Sequence, residues 1–343
     1  MLVHQRDKTV FGIMYVVALG LVFIVMHCSK TPTSPDISPW SIESSGTTVD
    51  LQGVTYANGQ FVAVGENVVL TSSDGVTWTK GYAGAATSGI YLFAVCYGNG
   101  KFVAAGQIGW YPSEISAVLT STDASTWTIA WTKQISGAIL GLNSVTYGNG
   151  KFVAVGDYGT VVTSLDGATW SYGQATWTVN NVLTTTDLNS VIFDNGQYVV
   201  VGSGGTILNS PNATTWTVGV NSLGNVNLSC VTNGNSQFVT VGYGGGSIWT
   251  SSDGKAWTME NPIFASTNDG LRSVAYGNGH FVAVGYGSTV ANAQAYGAML
   301  TSSDGTNWTT KSSGINNWLI SVAYGNGRFV VVGGGGTILS LNN

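Results

Sequence analysis

Charged side chains, cysteine and histidine are all scarce in this chain, and each shortage removes a class of function. Asp, Glu, Lys and Arg make up only 8% of the 343 residues, the net charge is −5, and no basic cluster follows Lys8. The electrostatic footprint of nucleic-acid binding is therefore missing. Of the 3 cysteines, Cys28 lies near the N-terminus, while Cys96 and Cys230 fall in repeats too far apart for the ~7 Å Cα limit of a disulfide. Both read as small buried residues. After Cys28 the only histidine is His280, at a hairpin tip, which leaves a histidine metal site or a Ser-His-Asp triad without parts. No nucleotide-binding or EF-hand pattern is present, and the Gly333 to Gly336 run ends a repeat strand as a turn. Neither a metal nor a cofactor is expected.

What the chain has in abundance is a repeat. Y-G-N-G-x-F-V-A-V-G recurs around Phe61, Phe102, Phe152, Tyr198, Phe238, Phe281 and Phe329, at spacings between 40 and 50 residues. Periods of this size belong to solenoids, propellers or arrays. Short β-rich runs split by Asn-Gly and Asp-Gly turns, without helical periodicity, exclude helical repeats. In the third repeat, four strands are expected: 142–147, 151–156, 160–164 and one from 169 onward. Asn149 and Gly150 join the first two, because a tight hairpin needs two residues that accept positive φ. Four-stranded units at this period are blades of an all-β, seven-bladed β-propeller.

The two ends of the chain complement each other. The seventh repeat stops before any D-G-x-T-W, whereas Trp40 to Gly46 reads like Trp308 to Gly314. The N-terminal strand is thus expected to complete the last blade and cover its edge. Counting Trp40 gives one tryptophan per blade: Trp40, Trp78, Trp127, Trp170, Trp216, Trp257 and Trp308.

Ahead of the repeats, His4, Arg6 and Lys8 precede an apolar run over 10–26, and Cys28 opens a polar stretch holding Pro32 and Pro35. This resembles the signal peptide of a bacterial lipoprotein, whose cysteine is lipidated. An uncleaved anchor is the alternative, with 17 apolar residues at the short limit for a bilayer span. The expected organisation is an anchor over 1–28, a linker over 29–38 and a propeller over 39–343, exported and tethered in a bacterial cell envelope as a monomer.

The S-x-D-G-x-T-W stretches, such as Ser72 to Trp78, resemble the Asp-box of BNR-repeat propellers, a group that includes sialidases, other glycan hydrolases and photosystem II assembly factors. The turn here is one residue shorter, since Gly follows Asp directly. The resemblance implies that Asp74, Asp123, Asp166, Asn212, Asp253 and Asp304 cap turns on the face away from any active site. A carboxylate accepting backbone N–H bonds at a turn supports the same structural role. Sialidases of that family bind their substrate with three arginines, whereas only Arg272 and Arg328 follow Cys28, so a sialidase is not expected.

Subtracting the repeat leaves two variable loops, 107–117 and 286–298, and the inter-blade connections. Their aromatic and charged residues are the candidate site: Trp110, Tyr111, Glu114, Trp131, Asp157, Arg272, Tyr296 and Trp318, with Trp177 at its margin. Rigid scaffolds commonly present binding residues on such loops, although the same aromatics could fold back as loop core. Two functions fit: a non-enzymatic recognition module for a protein or glycan, and a carbohydrate-active hydrolase using two non-repeat carboxylates among Asp50, Glu66, Glu114, Asp157, Asp187, Glu260 and Asp269.

Overall fold

The computed structural model describes residues 40–342 except 82–88, 110–113, 135–140, 176, 180–181, 185, 221–222, 224–225, 245, 261–268 and 289–294, together with 17–18 and 21–22. Contacts divide the chain into two units, 1–37 and 38–343. In the first, Val17 pairs with Val22 and Ala18 with Leu21. Cys28, the linker, Trp110 and Tyr111 lie outside the described residues. No helix among the described residues is long and apolar enough to cross a membrane.

The second unit is built of antiparallel sheets. Five have four strands, and one has eight. The third repeat shows the plan: Leu142–Gly148, Lys151–Gly156, Thr160–Ser164 and Ser171–Gln174 pair in chain order. Asn149 and Gly150 take φ of 48° and 73°, the left-handed pair that a two-residue hairpin needs. The eight-stranded sheet comprises two such units joined by a single pair, Tyr243 with Gly270. The last sheet takes Ser41–Glu43 as its outer strand, with Ser41 opposite Ser340 and Glu43 opposite Ile338. Trp40, just ahead of it, is buried among Val331, Leu339 and Val284.

The core lies between sheets. Val62 and Val64 of the first sheet pack with Leu92 and Phe102 of the second, and Val330 and Val332 of the last pack with Leu51 and Phe61 of the first. Serines on the innermost strands tie neighbours together. Ser144 Oγ accepts the Val191 N–H at 3.2 Å, and Ser321 Oγ accepts the Val54 N–H at 3.2 Å.

The first glycine of Y-G-N-G has a packing role. A Cβ on Gly98 would lie 2.1 Å from Cγ of Tyr147 in the next sheet, and the same clash recurs from Gly148 to Phe193, Gly234 to Tyr276, Gly277 to Tyr324 and Gly325 to Tyr56. Each of these rings in turn meets the following aromatic of its own repeat, as Tyr147 meets Phe152 at 4.6 Å between centroids. The motif thus encodes a ring-on-backbone contact from sheet to sheet.

The Asp-Gly turns cluster with the Asn-Gly hairpins at one end of the sheets. Asp74 Oδ1 accepts N–H bonds from Val76 and Thr77 at 2.9 and 2.8 Å, and these hold its carboxyl down at about 2. Asp123, Asp166, Asp253 and Asp304 accept the equivalent pair, and Asn212 does so through its amide oxygen at 2.9 Å from Thr214 and Thr215. Hairpin residues of one sheet clasp the next sheet's turn: Lys101 Nζ donates to the Asp166 carbonyl at 2.8 Å and Lys151 Nζ to the Asn212 carbonyl at 3.0 Å. Arg328 belongs to this end, with its Cδ against Gly75.

Candidate functional site

At the opposite end, each innermost strand carries a β-bulge. The register skips Gln52, Phe93, Asn143, Asn189, Ser229, Arg272 and Ile320 in turn. A bulge inserts one unpaired residue and re-aims its side chain. These residues, with Asn227 and Tyr243, line one cavity of about 270 Å³. Below it the cavity walls are the serines and valines of the same strands.

The ring is mostly neutral and tied down. Asn143 Nδ2 donates to Asp157 Oδ1 at 2.9 Å and to the Leu188 carbonyl at 3.2 Å, while Asn189 Nδ2 donates to Asn227 Oδ1 at 2.9 Å and to the Leu228 carbonyl at 2.7 Å. Two lining groups have no such partner: Arg272 Nε and Ser229 Oγ are buried without a hydrogen bond. Buried polar atoms are nearly always paired, so each such orphan calls for an explanation.

Arg272 is enclosed by aromatic rings. Its guanidinium carbon lies 5.8 Å from the Tyr243 centroid, 5.8 Å from Tyr286 and 5.6 Å from Trp318. Tyr286 and Trp318 stack at 5.2 Å and 29°, and Trp318 is 49% exposed. Burial pushes the Tyr286 hydroxyl above its ordinary range, reinforced by Tyr243 and opposed by Arg272. The strands explain the convergence: Tyr243 ends Gln237–Tyr243, Tyr286 lies in His280–Ser288, and Trp318 directly precedes Leu319–Gly325.

Of the expected site residues, Arg272 and Trp318 thus come together. Trp131 lies within the outer strand Thr128–Lys133, paired with Val118 and packed on the core, rather than on an inter-blade loop. Tyr296 belongs to the strand Ala295–Ser302, and its ring lies over Gly287. Most of the expected loop is strand, because pairing continues to Ser288 and Ala295. The other variable loop is likewise shortened by pairing up to Ile108 and Ile115. Trp177 forms a separate hairpin with Thr184. Glu114 is half-buried, and its Oε2 has no hydrogen-bond partner.

Asp157 accepts the Gly141 N–H at 2.8 Å as well as the Asn143 amide. Burial raises its carboxyl above the ordinary range, those two hydrogen bonds oppose the rise, and the nearby Asp187 reinforces it. Asp187 Oδ1 in turn accepts the Tyr158 N–H at 3.0 Å. Both carboxylates thus secure neighbouring backbone. Among the described residues no group of three His, Cys, Asp or Glu side chains could hold a metal ion. Cys96 and Cys230 are free thiols.

Sequence reasoning missed six of the seven bulge residues, together with Tyr243 and Tyr286. The signal was present: between a constant Leu and a nearly constant small residue followed by Val, one position changes identity from repeat to repeat, from Gln52 through Arg272 to Ile320.

No family model matches the chain, and no curated protein matches its sequence. Solved structures do match. YCF48 bound to a D1 peptide aligns with a TM-score of 0.66 at 17% identity over 90% of this chain and 96% of that one. The WD40 β-propeller domain of Doa1 aligns at 0.61 and 13% identity, over 89% and 97%. The fold is a β-propeller. Virginiamycin B lyase from Staphylococcus aureus shares it, at a TM-score of 0.69 and 8% identity over 89% of this chain and 99% of that one. At these identities the likeness concerns the fold alone, so the propeller's function rests on its own cavity.

Proposed function

We propose that this chain is an exported, membrane-tethered recognition module, a seven-bladed propeller closed by Ser41–Glu43 that engages a protein partner at the Arg272 mouth of its central cavity. The observation that carries this reading is the aromatic cluster of Tyr243, Tyr286 and Trp318 around a guanidinium whose Nε has no hydrogen bond. Aromatic residues and arginine dominate the energetics of protein interfaces. A protein of this fold, YCF48, has been captured with a peptide, which supports a protein partner over a glycan. The hydrolase reading has less support, because Asp157 and Asp187 both spend oxygens on backbone N–H groups. Tethering rests on the apolar run over 10–26 and on Cys28.

The test is capture of a partner from cell-envelope extract by the wild type, by Tyr286→Ala/Trp318→Ala, and by Asp74→Ala at the opposite end. Truncating central aromatic anchors typically costs about 2–4 kcal/mol of binding. The mouth variant should stay folded and lose the partner, whereas Asp74→Ala should keep it. A folded mouth variant that retains the same partner would reject this site, and a glycan array that binds where extract proteins do not would reject the protein partner.

A further inference from the structure

The cavity's two orphan donors point to one kind of ligand. Among the described residues that line the mouth, Arg272 is the only charged one, and its Nε is buried without a hydrogen bond. Its three aromatic neighbours attract the cation through their ring faces, but a ring face cannot accept the in-plane N–H bonds that make arginine a fork. Ser229 Oγ, from the neighbouring repeat, is a second buried donor without a partner in the same wall.

We infer that the Arg272 fork is the seat of a carboxylate, so that the partner is anchored in the mouth through a free carboxyl group of a peptide, at its C-terminus or on an acidic side chain. This rests on the recognition reading and names its ligand chemistry. A planar carboxylate matches the guanidinium edge in two parallel hydrogen bonds. One guanidinium also balances one negative charge, whereas a dianionic phosphate would keep an uncompensated charge in a half-buried site. The carboxamides of Gln52, Asn143, Asn189 and Asn227 add polar but uncharged walls, which suit the peptide groups behind such a carboxylate.

The experiment titrates the full-length protein with N-acetylglycine, N-acetylglycinamide, the α-amide of N-acetylaspartate and inorganic phosphate, read by saturation-transfer NMR. At least one of the two acids should bind saturably, and the neutral amide at least about tenfold more weakly, consistent with loss of a charge-assisted pair. The tighter of the two acids identifies the terminal or the side-chain source. Arg272→Gln should bring acid binding down to the level of the amide, and Arg272→Lys, which keeps the charge but not the fork, should fall between. Phosphate at equal concentration should not displace the acid. Equal binding of acid and amide, unchanged acid binding by a folded Arg272→Gln protein, displacement by phosphate, or no saturable binding of either acid would each overturn the proposal. If Arg272→Gln fails to fold, the Lys variant and the acid-to-amide ratio decide. Absence of acid binding with macromolecular capture intact would overturn the carboxylate seat and leave the recognition reading standing.

Discussion

Replacing Gly325 by alanine tests the contact between the last sheet and the first. The new Cβ would lie 2.0 Å from Cγ of Tyr56, 2.2 Å from Cδ1 and 2.4 Å from Cβ. These atoms stand at the root of the tyrosine side chain, so no rotation about its outer bonds clears them, and one sheet must retreat from the other. Overpacking a close contact of this kind costs about 1–3 kcal/mol, which for a domain of this size is a fall in Tm of roughly 2–10 °C. Thermal unfolding followed by circular dichroism would measure it, with Gly148→Ala as a second case, where Cβ would lie 2.2 Å from the Phe193 ring. The first repeat supplies the control: Ala57 stands where five of the other six repeats have glycine and packs with Tyr97 on one core cluster. Ala57→Gly should therefore cost about 1 kcal/mol or less. An unchanged Tm for Gly325→Ala would refute the reasoning and show that sheet spacing adjusts freely.

Three further outcomes can be measured. Asp74 titrates at about 2 against 3.8 unperturbed, so the stability it confers is complete above about pH 4 and drains away as pH falls toward 2; Asp→Asn changes at all five aspartate turns should leave Tm at pH 7 nearly unchanged, as Asn212 already shows the amide in place, and should flatten the acid decline. Deleting residues 40–46 removes buried Trp40 and the strand that pairs with Ile338–Asn342, so the exposed edge should promote aggregation in size-exclusion chromatography with light scattering; a monodisperse monomer of unchanged Tm would contradict that role. Cys28→Ala should shift the protein out of the membrane fraction or leave its signal attached, and a wild type that takes up no fatty-acid label would favour an uncleaved anchor.

The repeat was legible because its local chemistry is strong. Asn149-Gly150, the continuous apolar run from Phe152 and the Ser-x-Asp-Gly turn each specify their own geometry. The close packing of Gly98 against Tyr147 was not, since a glycine in Y-G-N-G reads equally well as part of the turn, and only the neighbouring sheet reveals what it must accommodate. The site was half legible. Arg272 and Trp318 stood out as departures from the repeat, whereas Tyr243 and Tyr286 extend ordinary strands and acquire their role from the sheets beside them. Trp131 misled for the opposite reason: it departs from the repeat in sequence but extends the outer strand in space.

The central claim is that a partner enters the mouth, and a photo-crosslinking residue placed at Ile320 tests it most directly. Ile320 lines the cavity with Arg272; Leu165, 68% exposed at the opposite, Asp-Gly end, is the matched control. Crosslinking in cell-envelope extract should give one discrete adduct from position 320, weakened by Arg272→Gln, and none from position 165. An adduct from position 165 alone would contradict the account.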